Sequence, residues 1–471
     1  MPPIPEKLPS MVNIGLLSLT RGNFQRLSSL LFEASRRVEK KLYIRPETYD
    51  NLIKEIPSIY FEATKVCPNL DVRVLLDPRK ETNYDLYFGD NYDKEKEMAI
   101  KNFCSYKKPY DAVVIGGTFD RLHNGHKVLL STAILFADKY VVTGVTCGEM
   151  NKKKKLYELM ESFEDRKKGI DDFVNDVSIG IESRSEGITD PFGPSIVDPN
   201  LKLIVTSEET KKGGDAVNAK RKEKGLSILE TYVIPLIEGS DEILQESKLS
   251  SSAKRRALLG KVIKKPIQKD IPSSPYVIGI TGGIASGKST IARFLETKNI
   301  QVIDCDKIAH VLYEESEELR EDLVKEFGKD VLMDKNKINR KVLGSIVFSD
   351  KRKLNRLNEI VWPKIANRVK DIIKNSTNKL VVLDAAILLE AKWDSFCHQV
   401  WTVYVSKEEA IKRIQERNNL SEEEARKRID SQISIEERIS KSNVVFCSLW
   451  DKEETKRQVS EALDIINKEY L

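Results

Sequence analysis

The stretch Ile278-Gly-Ile-Thr-Gly-Gly-Ile-Ala-Ser-Gly-Lys-Ser-Thr290 is typical of a phosphate-binding loop that joins a strand to a helix. An apolar run, Val277 to Ile280, precedes the glycines, and apolar residues recur at helical spacing after them. Backbone amides of such a loop surround phosphate oxygens, and Lys288 can reach the β and γ phosphates of a nucleotide. Ser289 supplies a hydroxyl that can ligate magnesium. The pattern predicts an ATP-using phosphotransfer enzyme of α/β fold.

Carboxylates follow two later apolar strands. The first strand ends in Asp304-Cys-Asp306, whose two acidic side chains lie on the same side of an extended chain. The second ends in Asp384 and continues to Glu390. Because parallel sheets place their sites at the carboxyl ends of strands, we expect one aspartate of the first pair to serve a metal and the other the acceptor. Alternatively, this pair only caps the helix that follows.

Arg413 and Arg417 lie four residues apart and therefore on one face of a predicted helix. The next helix is predicted to begin at Ser421-Glu-Glu-Glu424, a capping box. A helix-loop-helix that carries two arginines indicates a lid over the nucleotide. Basic residues at this spacing are otherwise most often a solvated face.

Together these motifs resemble those of dephospho-coenzyme A kinases, with Ile338-Asn-Arg340 and Gln432 as further matches. The resemblance implies transfer of the ATP γ-phosphoryl group to the 3′-hydroxyl of dephospho-coenzyme A. It assigns the hydroxyl proton to Asp306, the transferring charge to Arg417, and acceptor contacts to Asp304, Arg340, Asp384 and Glu390. Besides Arg413 and Arg417, it predicts ATP contacts at Gly282, Gly283, Ile284, Ala285, Ser286, Gly287, Lys288, Ser289 and Thr290.

A second motif, Gly116-Gly-Thr-Phe-Asp-Arg-Leu-His-Asn-Gly-His126, holds two of the four histidines of the chain. A strand, a glycine turn and a helix entrance in this order place His123 and His126 on one side, next to amides suited to anions. We expect them to bind triphosphate oxygens. Zinc ligation, and capping or core histidines, are the alternatives.

This motif resembles that of class I-like nucleotidylyltransferases, and the longer match is to phosphopantetheine adenylyltransferases. The resemblance implies attack of the 4′-phosphate of phosphopantetheine on the α-phosphate of ATP, with His126 as a catalytic group. It leaves the lysine that follows the second strand open between Lys152 and Lys154. The other predicted contacts with ATP or phosphopantetheine are Gly117, Thr118, Phe119, His123, Ser250, Ser251, Ser252 and Arg255.

Apolar strands alternate with helical patterns along the chain, which predicts parallel sheets with crossover helices. The expected fold is a multidomain α/β protein with a Rossmann-like nucleotidyltransferase domain followed by a P-loop kinase domain. A proline- and lysine-containing segment between them is expected to be a linker. The predicted boundaries are an N-terminal α/β domain of unknown role (1–108), the nucleotidyltransferase domain (109–262), the linker (263–275) and the kinase domain (276–471).

Composition limits the remaining classes. The net charge of +5 arises from 78 basic and 73 acidic residues, so charge does not indicate a nucleic-acid partner. No apolar run reaches the ~20 residues of a transmembrane helix. Six cysteines without C-x-x-C spacing fit a reducing compartment. We expect a cytoplasmic protein; arginines in an amphipathic, acid-poor stretch from Arg21 to Arg37 leave a mitochondrial association open.

The order of the two motifs resembles that of bifunctional coenzyme A synthases. Small-molecule partners are then ATP, 4′-phosphopantetheine and dephospho-coenzyme A, with Mg²⁺ as the cofactor. Two rival hypotheses remain: a different P-loop small-molecule kinase fused to another nucleotidylyltransferase, and a scaffold that binds nucleotide without turnover. The sequence does not determine the oligomeric state.

Overall fold

A computed structural model describes residues 11–49, 51–77, 80, 83–89, 108–234, 251–333, 337–348 and 350–471. The chain divides into two compact units, Met1–Arg255 and Arg256–Leu471. Three parallel sheets and one short antiparallel hairpin make up the described strands. This architecture confirms the predicted α/β fold class.

The first sheet of the first unit has strand order β3-β2-β1-β4. Its strands are β1 (Val12–Leu19), β2 (Val38–Pro46), β3 (Asp71–Val74) and β4 (Leu86–Phe88). Two helices connect them, α1 (Leu27–Ser35) and α2 (Leu52–Val66). Both bury an apolar face, as their spacing of leucines and isoleucines predicts.

The second sheet of this unit has strand order β7-β6-β5-β8-β9, with the strand before the histidine motif in the middle. Its strands are β5 (Tyr110–Gly117), β6 (Ala137–Thr146), β7 (Glu182–Ile188), β8 (Leu203–Thr206) and β9 (Glu230–Val233). The helices are α3 (Asn124–Phe136), α4 (Glu149–Lys152), α5 (Phe163–Val177), α6 (Lys211–Glu223) and α7 (Ser251–Arg256).

The second unit contains a five-stranded parallel sheet of order β11-β14-β10-β15-β16 and the hairpin β12-β13. The strands are β10 (Tyr276–Gly282), β11 (Gln301–Asp304), β12 (Leu332–Met333), β13 (Lys337–Ile338), β14 (Leu380–Asp384), β15 (Gln399–Tyr404) and β16 (Val444–Cys447). The helices are α8 (Lys288–Glu296), α9 (Cys305–Glu315), α10 (Glu317–Phe327), α11 (Arg340–Phe348), α12 (Lys351–Lys374), α13 (Lys407–Asn418), α14 (Glu422–Asp430), α15 (Ile435–Ser440) and α16 (Lys452–Glu469).

Burial explains which strands the sequence revealed. β10 and β14 are buried along their whole length, so they read as continuous apolar runs. β7 lies at a sheet edge and is mostly exposed, and its polar sequence gave no strand signal. Residues 263–275 form neither a helix nor a regular strand. None of the described helices is long and apolar enough to cross a bilayer.

Candidate active sites

The phosphate loop of the second unit runs from Gly282, the last residue of β10, to Gly287, the N-cap of α8. A Cβ atom on Gly282 would lie 2.6 Å from the carbonyl oxygen of Val403, so only glycine permits this approach to β15. Gly287 has a φ of +90°, in the region that favours glycine. Lys288 and Ser289 begin α8, and the loop therefore meets a helix N-terminus, which favours anions.

Carboxylates lie beside this loop. The Lys288 ammonium group donates a hydrogen bond to Oδ1 of Asp384, at the end of β14. Burial raises the pKa of Asp384; Lys288 opposes this effect, and the negative charges of Asp304 and Asp306 add to it. Two of these acidic residues, Asp304 and Asp384, end neighbouring strands, and Asp306 follows in the first turn of the next helix.

Residues far along the chain fix the shape of the loop. Gln432 accepts a hydrogen bond from the backbone amide of Ile284 through Oε1 at 2.9 Å. The hydroxyl of Ser448 donates to the carbonyl of Ser286 at 2.7 Å, and Arg413 donates to that hydroxyl at 2.8 Å. Arg413, predicted to contact ATP, therefore also braces the loop through a residue that sequence reasoning missed.

The predicted acceptor and transfer groups occupy separate elements. Asp304 accepts from the backbone amide of Lys307 at 3.0 Å and is the N-cap of α9, so the capping alternative is present in the structure. Asp306 lies in the first turn of the same helix. Arg417, near the end of α13, donates to the side chain of Asn418 at 3.1 Å. The other carboxylate oxygen of Asp304, Oδ2, lies 3.3 Å from the ammonium group of Lys307.

Glu390 was predicted to contact the acceptor, and its Oε2 is buried without a hydrogen-bond partner among the described residues. Its Oε1 accepts from Arg438 at 2.9 Å, and this guanidinium, only 2% exposed, also donates to the hydroxyl of Thr281 at 2.6 Å. Glu390 thus holds a buried arginine beside β10, because an unpaired buried guanidinium is costly. Arg340, also predicted to contact the acceptor, has its Nη1 atom 2.6 Å from Nδ1 of His310, a residue of α9.

The histidine motif of the first unit begins where β5 ends. Gly117 is the last residue of β5, and Phe119 has a φ of +51° in the turn that follows. His123 is the N-cap of α3, and its ring stacks on that of His126 with centroids 3.8 Å apart. Phe119 packs against His126 with centroids 5.1 Å apart. The structure therefore brings the two predicted imidazoles together at a helix N-terminus.

Both imidazoles are neutral at pH 7. Burial, assisted by the positive charges of Lys254 and Lys127, lowers the pKa of His123 to about 3. The pKa of His126 is lowered well below its usual value, again mainly by burial. The Nδ1 atoms of both rings are buried and have no hydrogen-bond partner among the described residues. Such atoms favour a polar ligand at this position.

The two lysines between which the sequence could not choose lie in different surroundings. Lys154 donates to the hydroxyl of Thr118, which immediately follows β5. Lys152 forms an ion pair with Glu149 within α4, and both of these side chains are exposed. The structure thus brings Lys154, rather than Lys152, to the predicted threonine.

The serine motif contacts the histidine motif through a hydrogen bond and a buried ion pair. The hydroxyl of Ser251 donates to the carbonyl of Asp120 at 3.0 Å. Arg255 forms a fully buried ion pair with the carboxylate of Asp120 and donates to the hydroxyl of Ser252 at 3.2 Å. Ser250 lies outside the described residues. Arg255 was predicted to add charge at phosphate; its guanidinium is instead enclosed by protein groups.

Two buried groups around this motif were missed from the sequence. Asp120 is fully buried and fixes Arg255, which also donates to the carbonyl of Lys155 at 2.9 Å. Arg166 donates to the carbonyl of Thr118 at 2.8 Å and is likewise buried. Asp120 stands inside the quoted motif and could have been singled out; Arg166 lies on α5, where nothing in the local pattern marks it.

No cluster of three or more His, Cys, Asp or Glu side chains in the described part of the chain has the geometry of a metal site. The donors near the phosphate loop are oxygens: the hydroxyl of Ser289 and the carboxylates of Asp304, Asp306 and Asp384. Oxygen donors of this kind, completed by nucleotide phosphates, are the ligands that Mg²⁺ takes in phosphotransfer enzymes. The residues present therefore fit Mg²⁺ bound together with ATP.

Two family models match the chain. Residues 114–274 match the cytidylyltransferase-like family, and residues 276–448 match the dephospho-CoA kinase family. The dephospho-CoA kinase of Shouchella clausii is 40% identical over 189 residues, which are 40% of this chain and 96% of that protein. The dephospho-CoA kinase of Fusobacterium nucleatum is 39% identical over 172 residues, 36% of this chain and 89% of that protein.

Among solved structures, a dephospho-CoA kinase from Campylobacter jejuni is 29% identical, with a TM-score of 0.33, and the match covers 41% of this chain and 98% of that one. A cytidylyltransferase-like domain followed by a dephospho-CoA kinase domain makes this chain a transferase, with the domain combination of bifunctional coenzyme A biosynthesis. The chain covers 89% and 96% of the lengths of these two relatives, and it therefore belongs to the dephospho-CoA kinase family.

Proposed function

We propose that the chain catalyses two consecutive reactions. In the first, the 4′-phosphate of phosphopantetheine attacks the α-phosphorus of ATP, which forms dephospho-coenzyme A and releases pyrophosphate. In the second, the γ-phosphoryl group of another ATP passes to the 3′-hydroxyl of dephospho-coenzyme A. The observation that carries this proposal is a pair of imidazole Nδ1 atoms at a helix N-terminus that no described residue partners, on the same chain as a dephospho-CoA kinase domain.

The first reaction needs donors at a phosphorus that gains negative charge, and no protein nucleophile. Neutral His123 and His126 each carry one N–H to donate to triphosphate oxygens. Lys154 adds a positive charge beside Thr118, whose hydroxyl contacts the attacking phosphate. Ser251 supports the adjoining turn. These roles follow from the enclosure of the two rings and from the hydrogen bond between Lys154 and Thr118.

The second reaction is a γ-phosphoryl transfer at the phosphate loop. Lys288 leaves Asp384 on nucleotide binding and contacts the β and γ phosphates, where a cation counters transition-state charge. Asp306 accepts the proton of the 3′-hydroxyl, Arg417 stabilises the transferring group, and Arg340 contacts the acceptor. Mg²⁺, held by Ser289 and the phosphates, would neutralise further phosphate charge. The three strand-end carboxylates support a cation at this edge.

Position-specific labelling of ATP tests both steps in one experiment. With phosphopantetheine as acceptor, label at the α-phosphorus should appear in dephospho-coenzyme A and then in coenzyme A. Label at the γ-phosphorus should appear in pyrophosphate from the first step and in coenzyme A from the second. γ-Label in coenzyme A but none from α-labelled ATP would contradict the first reaction.

The rival functions give different products. Nicotinamide mononucleotide or a nucleoside accepted in place of phosphopantetheine would favour a different adenylyltransferase fused to a different kinase. Unchanged ATP after incubation with every acceptor would favour a nucleotide-binding scaffold. The intact Lys288, Asp306, His123 and His126 support turnover instead.

A further inference from the structure

The sheet formed by β1–β4 packs directly on the helix that carries the histidines. Helix α2 lies against α3, and both contribute to one apolar core with the two sheets of the first unit. In this core the side chains of Tyr60 and Ala63 on α2, and of Leu130 and Ile134 on α3, are fully buried. No phosphate-binding motif occurs in the β1–β4 region, so its role needs another explanation.

Two polar contacts join the β1–β4 region to the first turns of α3. The Asn124 side-chain amide donates to the hydroxyl of Thr64 on α2 at 2.9 Å. The Lys127 ammonium group donates to Oδ1 of Asp71 at 2.6 Å and to the carbonyl of Val72 at 2.8 Å, both on β3. Both contacts therefore fix the end of α3 at which the imidazoles lie.

Helix geometry couples these contacts to the histidines. Asn124 and Lys127 are three residues apart and lie on one face of the helix. His123 and His126 have the same spacing, each one residue earlier, and lie on the neighbouring face. Each residue turns an α-helix by about 100°, so a rotation of this turn moves both faces together. Contacts that fix the rotation of Asn124 and Lys127 also fix that of the imidazole pair.

Lys127 is the buried member of its ion pair with Asp71, whose side chain is 33% exposed. The Lys127 side chain is 6% exposed, and burial lowers its pKa, against the opposing effect of Asp71. Burial of Asp71 acts to raise its own pKa, but Lys127 and Arg73 outweigh this effect and hold the pKa below its usual value. Removal of the Asp71 charge leaves the buried ammonium group of Lys127 without its anion, and the first turns of α3 would then shift to bring that group to water.

We propose that Asp71 and Thr64 are positioning residues for adenylyl transfer, and that the β1–β4 region completes the first active site by orienting the histidine helix. This inference rests on the proposed adenylyl transfer. The two residues touch no substrate; they act through Lys127 and Asn124.

A second polar joint between the same two sheets serves as a matched control. Asp176, on α5, accepts from the hydroxyl of Tyr43 at 2.8 Å, from Lys41 at 3.0 Å and from Arg73 at 2.8 Å. It also joins the β1–β4 region to the second sheet, but through α5 rather than through the histidine helix. Asp176→Asn therefore weakens the joint between the sheets. Arg73 keeps its own ion pair with Asp71, at 2.9 Å, and Asn124 and Lys127 keep their partners.

The test compares four variants of the full chain: Asp71→Asn, Asp71→Glu, Thr64→Val and Asp176→Asn. We expect Asp71→Asn to lower kcat of adenylyl transfer about 10-fold or more, because small misplacements of a catalytic group are costly. KM for ATP should change by less than about 3-fold, since the loss falls on the transition state. Asp71→Glu should recover most of kcat. Thr64→Val should lower kcat about 3-fold without stranding a charge.

Far-UV circular dichroism of the same samples reports whether the first unit is folded, and dephospho-coenzyme A phosphorylation reports on the second unit. We expect wild-type values of both. Asp176→Asn should keep wild-type kcat for adenylyl transfer. Wild-type kcat in both Asp71→Asn and Thr64→Val, or an equal loss in Asp176→Asn, would overturn the positioning role. A wild-type chain that forms no dephospho-coenzyme A would instead overturn the proposed function, so the two failures are distinguishable.

Discussion

The histidine loop and the phosphate loop follow the same plan in two different sheets. Each leaves the middle strand of a five-stranded parallel sheet, β5 or β10, and each leads into a helix N-terminus. They differ in charge. Lys288 provides a cation that forms an ion pair with Asp384. His123 and His126 instead provide neutral rings whose Nδ1 atoms have no partner within the described part of the chain.

The two loops also differ in what holds them. The phosphate loop is braced by side chains of its own unit, among them Gln432, Ser448 and Arg413. The histidine helix is braced through Lys127 and Asn124 by a region without a nucleotide motif. The phosphate loop thus takes its support from residues around its own sheet, whereas the histidine helix takes part of its support from a second sheet of the same unit.

The largest expected effect is that of Lys288→Ala. Removal of this cation should lower dephospho-coenzyme A phosphorylation about 1,000-fold, because it supplies charge stabilisation at the transferring phosphoryl group. Adenylyl transfer should be unchanged, so dephospho-coenzyme A should accumulate in product analysis. Lys298→Ala, on an exposed lysine just beyond α8, is the control and should leave both steps intact.

The second expected effect concerns His126→Ala. Loss of one donor to the phosphate oxygens should lower kcat of adenylyl transfer about 100-fold, while supplied dephospho-coenzyme A is still phosphorylated. His126→Asn keeps an N–H donor and should lose only about 10-fold. Equal losses in the two variants would show that hydrogen-bond donation is not the role of this ring.

A smaller effect separates two lysines of one run. Lys154→Ala should lower adenylyl transfer about 10-fold, because its ammonium group lies at Thr118. Lys152→Ala removes an exposed ion pair with Glu149 and should change kcat less than about 2-fold. Steady-state kinetics of the two variants check the assignment, and a reversed order would refute it.

The smallest expected effect is a pH-dependent one. The folded pKa of His123 is about 3, below its usual value of roughly 6.5, so the neutral ring contributes stability above pH ~6.5 that is lost as pH falls toward 3. Between pH 6.5 and 4 the free energy of unfolding should therefore fall less steeply in His123→Asn than in the wild type, as measured by urea titrations followed by circular dichroism.

Tryptophan fluorescence supplies the control for that titration, because all four tryptophans of the chain lie in the kinase part. The fluorescence transition should have the same pH dependence in His123→Asn and in the wild type. If the free energy of unfolding from circular dichroism has the same pH dependence in His123→Asn as in the wild type, burial of a neutral imidazole is contradicted.

Local patterns predicted both loops, because strand, glycine turn and helix N-terminus follow one another within a few residues. They did not predict the ion pair between Arg438 and Glu390 or that between Lys127 and Asp71. The members of these pairs are 48 and 56 residues apart in the sequence. Charged residues usually lie on the surface, so nothing in the sequence marks those that tertiary packing buries as pairs. The sequence likewise could not tell which of Lys152 and Lys154 reaches Thr118, because that depends on the path of the backbone after β6.

The central claim is that one chain holds two independent and consecutive transfer sites. Its most direct test mixes two variants, Lys288→Ala and His126→Ala, with ATP, Mg²⁺ and phosphopantetheine. Lys288→Ala alone should stop at dephospho-coenzyme A, and His126→Ala alone should leave phosphopantetheine almost unchanged. The mixture should form coenzyme A, because the product of one variant is the acceptor of the other. No coenzyme A from the mixture of two folded variants would contradict the account.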